Sequence, residues 1–405
     1  MKRARPRAGP AAARRRFPFA LWAALTALVS LAAFSSGCDL ALTPKKGSER
    51  GEGRLELGAP VDTSGFARAT APREFRLPMD HGPHYDFQTE WWYYTGHLAS
   101  ESGRQFGFQM TFFRRGLSPG APPEGPGLAT NQVYFAHFAL TDVAAGVHVF
   151  SERWARGAGS LAGARGEPFS VWLEGWRVEA NDGDGSVLRL RAREGDRTLD
   201  LDLRAQKPLV RHGDRGLSAK SDERGNASYY VGYTRLSAGG RLRMGDAESD
   251  VSGEAWFDHE WSTSALSSGA VGWDWFSLQL GDGRELMHFR IRREDGSIEP
   301  VSRGTLVARD GTTRPVPAES VELEVLASWT SPTTGARYPA RWRLAVADAG
   351  LDLLVEPLVA DQEMRTSFVY WEGAVRVSGT AGGAPVAGRG YVELTGYARS
   401  MRGVF

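Results

Sequence analysis

The 405-residue chain has a single cysteine, Cys38. One cysteine excludes a disulfide within the chain and any cysteine-built zinc finger. Charge of one sign is missing too, with 49 basic residues against 48 acidic ones. Such a balance leaves no steering field and argues against a nucleic-acid binder. There is no Gly-x-Ser-x-Gly elbow for a serine hydrolase. There is no His-Glu-x-x-His helix, and the eight histidines are scattered, with His81 and His84 the only close pair. Neither a metal nor another cofactor is therefore expected. Long apolar runs are confined to residues 17–34, and no other segment shows a sustained helical period.

The N-terminus gives that single cysteine a context. Residues 1–16 are basic, the apolar run follows, and Ser35-Ser36-Gly37-Cys38 closes it. This is a secretory signal layout, and small residues before a lone cysteine resemble a lipobox. The expectation is a signal peptide over 1–37, a lipid on Cys38 and membrane attachment at the cell envelope. An uncleaved anchor is the alternative, because the run is near the roughly 20 residues that span a bilayer. Residues 38–71 are rich in Pro, Gly, Ser and charge and read as a flexible tether.

Beyond residue 72 the pattern has period two. Phe106, Phe108, Met110 and Phe112 alternate with Gly107, Gln109, Thr111 and Phe113, and similar runs recur to Tyr391. These predict half-buried antiparallel strands. Ser102-Gly103, Asp182-Gly183, Gly239-Gly240 and Asp282-Gly283 are expected turns. Residues 119–126 form a Pro/Gly loop expected to lie over one barrel end. An all-β chain of this length fits an N-terminal barrel over 72–265 and a C-terminal one over 266–405. A weak echo between the stretch starting at Glu90 and the one starting at Phe368 suggests duplication.

Residues 253–289 are the densest in chemistry. They hold Phe257-Asp258-His259-Glu260-Trp261, then Gly272-Trp273-Asp274-Trp275-Phe276, a Gly-Asp-Gly turn, and Met287-His288-Phe289. Buried charge between aromatics needs either a hydrogen-bond network or a site to satisfy it. On a strand, Phe257, His259 and Trp261 share one face, and Asp258 and Glu260 the other. His259 either meets a ligand beside Trp261 or is held by a carboxylate. Glu90, with Trp92 and Tyr94 on its face, either has a raised pKa among indoles or pairs with Arg114 or Arg115. Trp273 and Trp275 form a cavity wall or pack between barrels. His288 either joins His259 or sits in a core. Glu90, Asp258, His259 and His288 are the catalytic candidates, with Glu260 and Asp274 as further acids. Trp92, Tyr94, Trp261, Trp273 and Trp275 are the ligand-binding candidates.

Three blocks carry a family resemblance: Glu90-Trp-Trp-Tyr-Tyr-Thr-Gly-His-Leu, Gly253-Glu-Ala-Trp-Phe-Asp-His-Glu-Trp and Gly272-Trp-Asp-Trp-Phe-Ser-Leu-Gln-Leu. Together they resemble the AttH-like and carotenoid 1,2-hydratase superfamily, to which fungal pericyclases are related. The resemblance implies two tandem lipocalin-like (calycin-type) antiparallel β-barrels and a site for a large apolar molecule at or between them. Its hydratase branch protonates an alkene and adds water, using a His and a Trp that match His259 and Trp261, and a Tyr-x-Asp pair. That pair is replaced here by Leu286 and His288. With the expected lipid on Cys38 and the aromatic strands, the expected function is an envelope-anchored protein binding a lipid, polyene or terpenoid, accessory to an ABC export system. The alternative is an enzyme acting on such a molecule by proton transfer.

Overall fold

A period-two pattern places alternate side chains on opposite faces of a strand. The computed structural model describes residues 62–123, 129–263 and 266–403, and it is built of such strands. The expected signal peptide, Cys38 and most of the expected tether lie outside the described residues, as does part of the Pro/Gly loop.

The first sheet contains β1 (Thr89–Ser100), β2 (Gln105–Gly116), β3 (Gln132–Asp142), β4 (Val147–Arg156), β5 (Ala162–Gly166), β6 (Phe169–Leu173), β7 (Trp176–Ala180), β8 (Val187–Glu194), β9 (Arg197–Ala205), β10 (Val210–Arg211), β11 (Leu217–Ala219), β12 (Ala227–Met244) and β13 (Ala247–Ser262). Its order is β4-β3-β2-β1-β13-β12-β9-β8-β7-β6-β5, with β10 and β11 pairing β12. The second contains β14 (Ala270–Leu280), β15 (Glu285–Arg293), β16 (Arg303–Val307), β17 (Thr313–Pro317), β18 (Val321–Thr330), β19 (Arg337–Val346), β20 (Leu351–Pro357), β21 (Glu363–Arg365), β22 (Val369–Ala381) and β23 (Ala384–Leu394). Its order is β17-β16-β15-β14-β23-β22-β20-β19-β18, with β21 on β22. The protein is all-β, with two tandem lipocalin-like antiparallel barrels.

Both sheets follow one plan: a four-stranded meander, a second meander, then a hairpin whose last strand returns to the first. This plan corrects the expected echo. The counterpart of β1 is β14, not β22, and each carries a carboxylate opposite an arginine on the next strand. Glu90 faces Arg114, and Asp274 faces Arg290. The expected turn at Gly239-Gly240 is also corrected. These glycines lie inside β12 and pair with residues of both β9 and β13. The Asp282-Gly283 turn does join β14 to β15, with Gly283 at φ +86° where a side chain would be strained.

Trp92, Tyr94, Phe106, Phe108, Met110, Phe112 and Phe257 fill the first barrel, and Phe276, Leu278, Trp342 and Trp371 the second. Burying each such side chain contributes roughly 1.5–3 kcal/mol. Strand β2 is nonetheless buried on both faces along most of its length. Its outer face, like those of β1 and β13, is turned toward the second barrel. A charge cluster fixes that docking: Glu285 of β15 accepts from Lys207 Nζ at 2.7 Å and from Arg235 Nε at 2.6 Å.

Candidate functional site

Strand register sets the site. On the outer face of the first sheet, one cross-strand row runs Gly232, Asp258, Tyr93, Thr111, His137, Glu152. The parallel row runs Tyr230, Glu260, Trp91, Phe113, Phe135, Trp154. Opposite them, the second sheet presents the row Phe289, Trp275, Glu393, Glu372. Between the two faces is a cleft of about 1030 Å³ when its open mouth is counted. Trp91, Tyr93, Phe113, Trp273, Trp275, Phe289, Ile291, Phe368 and Tyr370 give it an apolar, aromatic lining. Asp258, Glu260, Glu393 and Lys220 supply its charged groups.

Among the described residues, Asp258 has no Lys or Arg side chain paired with it. Tyr230 donates its hydroxyl to Asp258 Oδ2 at 2.6 Å, and Trp275 Nε1 donates to the Tyr230 oxygen at 3.0 Å. Its nearest histidine nitrogen, His212 Nε2, is 3.8 Å from Oδ1. Burial pushes the Asp258 carboxyl up to about 8, and the nearby Glu260 adds to the rise. Gly232 makes room for it, since a Cβ there would run into Asp258 Oδ1 and the Phe257 carbonyl oxygen. Glu260 is treated differently, because Lys220 Nζ reaches its Oε1 at 2.7 Å.

Glu372 and Glu393 lie directly opposite each other on β22 and β23. Two carboxylates in that position would repel, so the pair favours a shared proton. Burial raises Glu372 well above the carboxylate range, and Glu393 adds to it. Burial likewise raises Glu393 to about 7, although Glu372 and the Trp273 indole, which donates to its Oε1, act the other way. Tyr93 donates to Glu372 Oε1 at 2.7 Å. That geometry fits one proton shared between Glu372 and Glu393.

The remaining sequence candidates lie elsewhere. Glu90 and His259 face the interior end of the first barrel and are fully buried there. Arg114 Nε donates to Glu90 Oε2, while His84 Nδ1 and His259 Nε2 both donate to Oε1, each at 2.8 Å. Burial alone would raise Glu90, but the Arg114 guanidinium and His84 hold its carboxyl well below the usual range. Of the two readings open for Glu90, the structure has the pairing with Arg114 and not the raised carboxyl. His84 stacks on Trp261 at 3.7 Å between ring centroids and bonds Asp80 at 3.1 Å. Trp92 Nε1 donates to the His81 carbonyl, and Tyr94 stacks on Phe257. Among the described residues, His84, Glu90 and His259 hold potential metal-ligand atoms within 4.8 Å of one another. His84 Nδ1 and His259 Nε2 already bond Glu90 Oε1 beside the Arg114 guanidinium, which makes the group a buried ion-pair network.

His288 points into the second barrel near Phe276, and burial lowers it to about 4. It does not meet His259. Asp274 is bound by Arg290 at 2.7 Å and Arg292 at 2.9 Å. Of the sequence candidates, the cleft receives Asp258, Glu260, Trp273 and Trp275. Sequence reading missed Tyr93, Tyr230, Lys220, Tyr370, Glu372 and Glu393. A usable signal was an acid in phase with Tyr370 on one aromatic strand and with Tyr391 on its neighbour.

The AttH-like family model matches residues 68–397. The chain belongs to the AttH-like family. A crystal structure described as an AttH of Nitrosomonas europaea is 36% identical, with a TM-score of 0.73. The match covers 82% of this chain and 100% of that one. Kievitone hydratase from Nectria haematococca aligns with a TM-score of 0.63 at 15% identity, over 84% of this chain and 98% of its own. At that identity the likeness is one of fold. No curated protein matches the chain.

Proposed function

We propose that the cleft binds an apolar, unsaturated small molecule of the polyene or terpenoid class and protonates it. The observation that supports this most is the placing of Asp258 and Glu393, both with raised pKa, against an aromatic cavity, with Glu372 opposite Glu393 behind it. An acid kept neutral near physiological pH by burial is what protonation of an alkene needs. Asp258 and Glu393 reach the cleft and are the proton donors, while Glu372 and Tyr93 set the charge of Glu393. The faces of Trp91, Trp273 and Trp275 would stabilise a cation by about 0.5–2 kcal/mol each. The reaction class is hydratase or isomerase. Kievitone hydratase carries its activity on this fold, so water addition is tested beside double-bond migration.

The test is incubation with farnesol and lycopene in deuterated water, followed by mass spectrometry. Wild type should place deuterium on carbon, and Asp258→Asn should slow this about 10²–10⁴-fold, the usual worth of a general acid. Binding without any deuterium transfer would sink the enzyme reading and leave a ligand carrier. From the N-terminal residue pattern, we propose that the protein works tethered at the cell envelope through Cys38.

A further inference from the structure

The cleft has a second polar feature, separate from its acids. His137 of β3 is fully buried, and both ring nitrogens are engaged. Nδ1 lies 2.7 Å from the Tyr370 hydroxyl, and Nε2 lies 3.0 Å from Glu152 Oε1. Tyr370 lines the cleft, whereas the Glu152 side chain is 18% exposed at the surface. The three groups thus span the wall from ligand space to solvent.

Their protonation states follow from the contacts. Burial opposes charge on Glu152, but its bonds to His137 and Ser367 hold the carboxyl down to about 2. A carboxylate only accepts, so Nε2 carries the imidazole proton. Nδ1 is left as an acceptor, and the Tyr370 O–H donates to it. The Tyr370 lone pairs then remain for the cleft. Burial lowers His137, which is therefore neutral at rest. The titratable groups facing it are Glu152 on β4 and Tyr370 on β22, and Tyr370 also senses Glu372 and Glu393.

We infer that Tyr370, His137 and Glu152 form a proton relay, the base that takes a proton from water as it adds to the protonated ligand. The inference rests on the proposed acid chemistry of the cleft. Tyr370 lines the cleft together with the donors Asp258 and Glu393. Acid and base therefore flank the same space. In the step, a water O–H breaks as its oxygen forms the C–O bond. That proton goes to the Tyr370 oxygen while the original Tyr370 proton passes to His137 Nδ1. The Nε2 proton moves to Glu152 and from there to solvent. The proton spent by the acid wall is replaced from solvent, so the cycle balances as addition of one water. Glu152 also bonds Ser367 Oγ at 2.6 Å, which ties the two barrels. A structural role for this cluster must therefore be separated from a relay.

Two readouts do this without knowledge of the substrate. The first is ¹⁵N NMR of histidine-labelled wild type at neutral pH, which reports the His137 tautomer. The proton should be on Nε2, and a proton on Nδ1 of neutral His137 overturns the relay. The second uses 2-naphthol, an apolar probe that becomes a strong acid when excited. Bound to wild type it should emit as naphtholate. Both His137→Gln, whose amide can still bond Tyr370 and Glu152, and Tyr370→Phe should bind it but cut that emission about tenfold or more. If one variant does not fold, the other carries the comparison. Binding with undiminished naphtholate emission in the variants, or with none in wild type, overturns the relay alone. Failure of wild type to bind the probe overturns the cleft as a binding site and the relay with it.

Discussion

Asp258 and Glu90 are both buried carboxyls in the same barrel wall, yet their partners send them in opposite directions. Asp258 meets phenols and aromatic rings, and burial lifts it to about 8. An unfolded Asp ionises near about 4. Its contribution to stability is therefore complete below that value and is lost as pH rises toward 8. Asp258→Asn should flatten the pH dependence of the melting temperature across that window, and a slope unchanged from wild type would show Asp258 to be ionised. Glu90 is depressed instead, so its contribution is present above the ordinary Glu pKa and is lost in acid. Removing its charge leaves Arg114 buried without a counter-ion. Glu90→Gln should cost about 3–5 kcal/mol in urea unfolding, whereas a loss below about 1 kcal/mol would be typical of an exposed pair and would not fit this network.

At the level of elements, the alternation along each strand was legible in the sequence. It placed Phe257, His259 and Trp261 on one face and Asp258 and Glu260 on the other, and the strand has that arrangement. What the alternation cannot give is which face meets the second barrel, because that depends on packing between strands far apart in the chain. Glu90 and His259 lie inside the barrel, while the cleft uses the opposite face. Glu372 and Glu393 were hidden for the same reason: each is an ordinary acid in an aromatic strand until β22 and β23 set them opposite one another. Gly232 tests the same register. Gly232→Ala should displace the Asp258 carboxyl and lower its pKa toward the ordinary range by letting water reach it, which NMR titration of the side chain would show. An unchanged titration would mean that the neighbouring strands yield instead.

For the whole molecule, the two barrels are held by buried polar contacts as well as by aromatic packing. Glu285→Ala would leave Lys207 and Arg235 without their shared carboxylate and should destabilise the protein by about 3–5 kcal/mol. The cleft should loosen with it, read as weaker naphthol binding. Intact binding in a folded variant would show that aromatic packing alone sets the cleft. The proposed tether has its own test. Cys38→Ala should abolish lipid attachment and release the protein from membranes, and unchanged membrane association would remove the lipoprotein reading. The most direct measurement concerns the acids themselves, by infrared difference spectroscopy of the carboxyl C=O stretch through a pH titration. A neutral-carboxyl band is expected at pH 7, to lose the share of Glu393 and Asp258 between about 7 and 8 while that of Glu372 stays, and to shrink in Asp258→Asn and Glu393→Gln. A spectrum with no neutral carboxyl at pH 6 would contradict proton donation from this cleft.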